Sequence, residues 1–212
     1  MNTREYSFQT LPDLLAPELD VVFVGINPSL YSVEHGHYFA RATNRFWTAL
    51  SLSKLSELAR RTLGIDVLRP EHDTELLRFG IGFTDVIKRP TVNVSTLGSA
   101  EFENAVPQLL AKLNRYAPCV ACFHGLTGYR PFQRVALGVG TLPVLGAQPG
   151  RVGAIRLYVV PNPSGANAHF TRGEQAMWYD QLADFIAEIR PLERTARSRL
   201  RPPATLPPAP AV

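Results

Sequence analysis

The stretch DVVFVGINPSLYSVEHGHYFARATNRFW, Asp20 to Trp47, frames the reading of the whole chain. Val21, Val22, Phe23 and Val24 are four apolar, β-favouring residues in a row. The run is too short for a helix and lacks the alternation of a half-exposed strand, which predicts a parallel strand buried on both faces. Gly25 ends it. Asn27-Pro28 then turns the chain sharply, because Pro28 has no N–H and biases Asn27 away from helical backbone angles. The turn Gly25-Ile26-Asn27-Pro28-Ser29 thus offers a polar amide at the carboxyl end of a central strand, where open α/β sheets bind ligands.

A single Asn-Pro turn after a strand is ordinary turn chemistry. This chain has two. Leu157, Tyr158, Val159 and Val160 form another apolar run, and it leads into Asn162-Pro163-Ser164-Gly165. If both runs are parallel members of one sheet, the two loops face one crevice and form a candidate active site.

Between these strands the pattern alternates. Further strands are expected at Ile81 to Ile87, Val120 to Phe123 and residues 154–160. Helices are expected after a cap at Thr43 or Asn44, with Phe46, Trp47 and Leu50 on one face, and at Lys54 to Thr62 with Gly64 as the stop. More follow at Glu71 to Phe79, Ser99 to Tyr116, Tyr129 to Leu137, and Gly173 to Ile189 with Met177, Leu182, Phe185 and Ile189 inward. Residues 31–42 read as an ordered loop and Gln148-Pro149-Gly150 as a hairpin turn. Strands alternating with helices predict an α/β fold with a mainly parallel sheet.

The 212 residues fit one domain, expected over 1–189, with an Arg- and Pro-rich tail, 190–212, expected to be disordered. Five arginines and one glutamate in that tail account for the whole net charge of +4, so the body is neutral. Overall charge is therefore no argument for nucleic-acid binding, although Arg45, Lys88, Arg89 and Arg172 could cluster. No run approaches the ~18 apolar residues of a membrane span. The N-terminal MNTREYSF has no apolar signal region, so the protein is expected to be intracellular, cytoplasmic and, in a bacterium, nucleoid-associated. Cys119 and Cys122 form a C-x-x-C within a predicted strand, where positions three apart point to opposite faces. Both are read as buried, reduced core residues. His35, His37 and His169 lack acidic or cysteine partners at ligand spacing, so neither metal nor cofactor is expected.

The stretch GINPSLYSVEHGHYFARATNRFW resembles the mismatch-specific uracil/thymine DNA glycosylases, a branch of the uracil-DNA glycosylase superfamily. The resemblance continues through Gly80-Ile81-Gly82-Phe83-Thr84, Lys88-Arg89-Pro90-Thr91 and Asn162-Pro163-Ser164-Gly165, and spans about residues 12–188. It implies a three-layer α/β/α sandwich around a short parallel sheet, and a monomeric, monofunctional enzyme of base excision repair. Such an enzyme flips a damaged or mispaired base out of double-stranded DNA before hydrolysing its N-glycosidic bond. The implied substrate is uracil, and by extension thymine or other damaged pyrimidines, opposite guanine.

By this resemblance Asn27 positions the attacking water through its carbonyl, an amide being no general base. Gly25, Ile26 and Pro28 line the base pocket, Phe39 stacks on the flipped base, and backbone N–H groups hold the departing base anion. Asn162, Ser164, Gly165, Ala166 and Asn167, with Lys88 and Arg89, contact DNA. Two positions depart from relatives. Ser29 stands where glycine is frequent, and Ala166-Asn167-Ala168-His169 stands where a larger wedge is usual, leaving Asn167 or His169 to fill the gap. Asp85 is a second catalytic candidate from the residues themselves: a carboxylate at a strand end facing the crevice could activate water, or could pair with Lys88 or cap a turn. Two rivals stand beside the glycosylase. One is a weak or inactive lesion-binding module of the same fold. The other is an enzyme of free nucleosides or nucleotides, which has neither a phosphate-binding loop nor a dinucleotide fingerprint in its support.

Overall fold

A computed structural model describes residues 9–167 and 169–200, with residues 191–200 described by their backbone alone. Its centre is a five-stranded sheet of β1 (Val21–Gly25), β2 (Ile81–Asp85), β3 (Val120–His124), β4 (Gly146–Val152) and β5 (Ile155–Val160), in the order β2-β1-β3-β5-β4. The strands β2, β1, β3 and β5 run parallel, and only the edge strand β4 is antiparallel. Every residue of β1, β2 and β3 is buried, as unalternating apolar runs require.

Helices cover both faces because successive strand residues point to opposite sides. On one face Val21, Phe23, Phe83, Cys122 and Val160 pack against Phe46 and Leu50 of α2 (Phe46–Leu52) and Tyr179, Leu182 and Ile186 of α6 (Arg172–Leu200). On the other, Val22, Val24, Ala121, Phe123 and Val159 meet Phe102, Val106 and Leu109 of α4 (Ser99–Tyr116) and Tyr129 and Phe132 of α5 (Leu126–Leu137). The chain is therefore an α/β/α sandwich, as expected. Two short helices, α1 (Leu30–His35) and α3 (Glu57–Leu63), complete the set with several 3-10 turns. Cys119 and Cys122 are buried thiols, and no group among the described residues could hold a metal ion. No helix of the described residues is long and apolar enough to cross a membrane.

Four local expectations are corrected. Residues 30–35 are helical rather than loop, because the Ser29 hydroxyl caps the Ser32 N–H at 3.0 Å and Gly36 closes the turn at φ +74°. Gln148-Pro149-Gly150 is no hairpin turn: these residues lie within β4, at a register shift between Ala147 and Arg151. An edge strand with a bulge tolerates Pro149, and the chain reverses at Gly153-Ala154 instead. Met177 is 60% exposed, and Ala176, Tyr179 and Ile186 hold the inward stripe of α6 with Leu182 and Ile189. Finally, α6 continues past Ile189 to Leu200, so the segment from Arg190 to Leu200 is helix; Arg190 pairs with Asp20 at 3.0 Å. The rest of the expected tail, 201–212, lies outside the described residues.

Candidate active site

The parallel strands bring their carboxyl ends to one edge. There Gly25 of β1 is in register with Asp85 of β2, and His124 of β3 with Val160 of β5. The loops that leave these ends enclose a cleft of about 470 Å³, lined by Gly25, Ile26, Asn27, Pro28 and Ser29 and by Phe39, Asp85 and His124, with Asn162, Ser164, Gly165 and Ala166 on the far side. Two Asn-Pro turns far apart in sequence thus share one crevice.

Backbone pairing carries the β1–β2 register past the strands and fixes the first loop. Val86 and Ile87 donate to the carbonyls of Gly25 and Ile26, both at 2.9 Å, and Thr91 donates to Pro28 at 3.1 Å. Within this lacing the Asn27 Nδ2 group donates to the Arg89 carbonyl and to Thr91 Oγ1, both at 2.9 Å, and to the Pro28 carbonyl at 3.2 Å. Three oxygens around the amide nitrogen settle which end of the amide is tied down. The carbonyl Oδ1 is left as the acceptor end of an amide that lines the cleft.

Asp85 lies on the cleft floor at 4% exposure. Its position depends on Gly25: a Cβ there would stand 2.4 Å from Asp85 Oδ1. Its Oδ2 makes no hydrogen bond and has Lys88 Nζ at 3.6 Å. Lys88 is more closely bound to Asp13, at 3.0 Å, and Asp13 also pairs with Lys112. Burial pushes the Asp85 carboxyl up to about 6; Lys88 opposes this and Asp13 supports it. Burial also works to raise Asp13, but Lys88 and Lys112 outweigh it and hold that carboxyl below the ordinary value. Asp85 therefore lines the cleft and has Lys88 beside it.

Phe39 lies against the cleft in a left-handed backbone conformation, φ +53°. Such a conformation in an aromatic residue needs surrounding support. It has support on both sides: the Tyr38 N–H donates to Asp73 at 3.0 Å, Trp47 Nε1 donates to the Tyr38 carbonyl at 2.9 Å, and Ala40 N–H reaches Ser32 Oγ at 3.4 Å. One face of the Phe39 ring is stacked on Phe46 with centroids 4.3 Å apart.

The second loop is built as an Asx turn. Asn162 Oδ1 accepts from the Ser164 N–H at 2.9 Å, and Asn167 Nδ2 closes the loop onto the Asn162 carbonyl at 2.9 Å. Arg45 clamps it to α2, donating to the carbonyls of Asn167 at 2.7 Å and Ser164 at 3.2 Å. Gly165 passes so close to the Thr43 carbonyl that a Cβ would lie 2.8 Å from it.

Three cations expected to face DNA are engaged inside the protein. Lys88 is 6% exposed within its carboxylate cluster, Arg89 forms a paired fork to Glu101 at 2.7 and 2.8 Å, and Arg45 serves the second loop. Lys88 is buried, Arg89 is neutralised by Glu101, and Arg45 is held by backbone carbonyls. Arg41, exposed at the cleft rim, and exposed Arg172 remain on the surface. Asn167 is folded inward and is no protruding wedge; His169 is exposed, Ala166 sits at the rim, and Ala168 lies outside the described residues.

His124 is the site residue that sequence reading passed over. It is 2% exposed, lines the cleft, and packs edge-on against Phe39 at 5.1 Å and flat on Phe23 at 5.0 Å. Nε2 is 3.0 Å from the Tyr179 hydroxyl, and Nδ1 has no hydrogen-bond partner. Burial pushes the imidazole down to about 3, so the ring is neutral. A signal was present: like Gly25 and Asp85, it ends a buried strand on the ligand edge.

Apart from Leu11, the residues that line the cleft lie within residues 12–186, and over those residues the chain matches the family described as the Uracil DNA glycosylase superfamily. A match covering most of the sequence, on a sheet whose loops open at the expected edge, means that the chain belongs to the uracil DNA glycosylase superfamily, whose members are DNA glycosylases of repair.

Proposed function

We propose that this protein is a monofunctional glycosylase that removes uracil, and by extension thymine or another damaged pyrimidine, from a mispair with guanine in duplex DNA. The observation that carries this reading is the orientation of Asn27 in the shared cleft: its nitrogen is tied to three oxygens, which leaves its carbonyl to align a water. In a dissociative path the base leaves as an anion, the sugar becomes oxocarbenium-like, and aligned water attacks C1′. Asp85 is the group able to take that water's proton, being a carboxylate within the cleft whose pKa stands near neutrality. Among the described residues no lysine lines the cleft, which favours water over an amine as nucleophile.

Substrate choice follows from the energetics of flipping, which costs a few kcal/mol and least for a mispaired base. Small Ala166 at the rim gives little to fill the vacated stack, so a loosely held G:U pair suits the site better than A:U. The test is single-turnover cleavage of duplexes carrying G:U, G:T or A:U and of single-stranded U. Alkali-revealed breaks on G:U, falling about a hundredfold in Asn27→Ala as loss of positioning implies, are the expected result. Mismatch-selective binding without breaks would replace the enzyme with a lesion-binding module.

A further inference from the structure

We infer that Tyr179 of α6 locks His124 as an Nδ1–H donor, and that this donor reads the 4-oxygen of the flipped pyrimidine. The inference rests on the glycosylase reading and deepens it by naming what recognises the base. Its starting point is the unpartnered Nδ1 of a ring that is otherwise enclosed by Phe23, Phe39 and Phe46. A buried polar atom without a partner is rare in a folded protein, and at the floor of a cleft it marks a ligand contact.

The proton's position follows from the atoms behind the ring. The Tyr179 hydroxyl is fully buried, and its hydrogen-bond partner among the described residues is His124 Nε2 at 3.0 Å, so Tyr179 gives its proton to that nitrogen. A neutral imidazole that accepts at one nitrogen carries hydrogen on the other. The Tyr179–His124 pair therefore ends in an unpartnered donor on a residue that lines the cleft.

The ligand atom follows from how a pyrimidine must enter. N1 bears the sugar and stays near half-buried Asn27, so the opposite side of the ring, at C4, goes deepest, toward His124. Uracil and thymine carry an oxygen at C4, which accepts from Nδ1–H. Cytosine carries an amino group there, and two donors would face each other in a dry site, leaving both unpaired.

The experiment measures binding to duplexes whose target, opposite guanine, is 2′-fluoro-deoxyuridine, which resists cleavage, its 2-pyrimidinone counterpart lacking the 4-oxygen, or a tetrahydrofuran abasic analogue. Wild type is expected to bind the uracil duplex about tenfold more tightly than the 2-pyrimidinone duplex, the size of one buried hydrogen bond. That difference should vanish in His124→Leu with tetrahydrofuran binding intact, shrink in Tyr179→Phe, and return in part in His124→Asn. Ring ¹⁵N NMR of the free protein supplies a readout that a purely structural role would not move: His124 protonated at Nδ1 in wild type, and a mixture with Nε2–H in Tyr179→Phe. A wild-type 4-oxygen preference that survives in folded His124→Leu overturns the contact alone, as Nε2–H in wild type overturns the lock. A wild type that does not prefer uracil to tetrahydrofuran overturns the glycosylase reading and the contact together.

Discussion

Asp85 and His124 are both buried at the cleft floor, and burial moves them in opposite senses: the carboxyl up to about 6, the imidazole down to about 3. Each is driven toward its neutral form, since a low-dielectric site penalises charge. For His124 neutrality is complete near pH 7. For Asp85 it is balanced, because Lys88 stands 3.6 Å from the carboxylate yet is held more closely by Asp13. A carboxylate poised near neutrality is suited to accept a proton from water. The expected consequence is a single-turnover rate on G:U that climbs with pH through about 6 and then levels, as Asp85 loses its proton. In Asp85→Asn the rate should fall by about tenfold or more and lose this limb. Rates measured across this range in both proteins check it, and an unchanged profile in folded Asp85→Asn would remove Asp85 from the chemistry.

The loops that hold these residues depend on close approaches as much as on side chains. Gly25 ends β1 against the Asp85 carboxylate, where a Cβ would come within 2.4 Å of Oδ1. Gly25→Ala should therefore push the carboxylate off the cleft floor, at roughly 1–3 kcal/mol of stability and a tenfold or larger loss of excision rate. Urea midpoints and single-turnover rates measured on the same preparation check this; wild-type values for both would show that Asp85 moves aside freely. The two Asn-Pro turns, the buried strands before them and the shared edge were legible in sequence because apolar runs, Gly and Pro act locally. The partners of Lys88, Arg45 and Arg89, namely Asp13, the Asn167 carbonyl and Glu101, come from other elements and were not legible in the sequence. No periodicity reveals such pairing. The same limit hid Tyr179, which the sequence reading left off the inward stripe of α6 and whose hydroxyl partner on β3 is a tertiary fact.

In the molecule as a whole, the layer of α2 and α6 and the layer of α4 and α5 bury the sheet, and the cleft opens at the one edge where four parallel strands end. The charged groups placed at that edge carry a stability penalty, and its pH dependence can be worked out. Asp85 has a folded pKa near 6 against an ordinary 3.8. Between these values the folded protein holds a proton that the unfolded chain has released, so Asp85's contribution is fully present below 3.8 and is lost as pH rises through 6. His124 runs the other way: its folded value near 3 lies below an ordinary 6.5, so its contribution is present above 6.5 and lost as pH falls. The two windows overlap, and a wild-type stability curve alone would blur them. The difference between wild type and Asp85→Asn cancels His124, which both proteins share. That difference should swing in favour of Asp85→Asn as pH rises from about 4 to about 7, by on the order of 3 kcal/mol for a shift of some two units. A variant that is slower yet more stable at neutral pH is the signature of a buried charge kept for function. Urea unfolding of both proteins across this range makes the measurement, and parallel curves would show that Asp85 ionises in the fold as readily as in water.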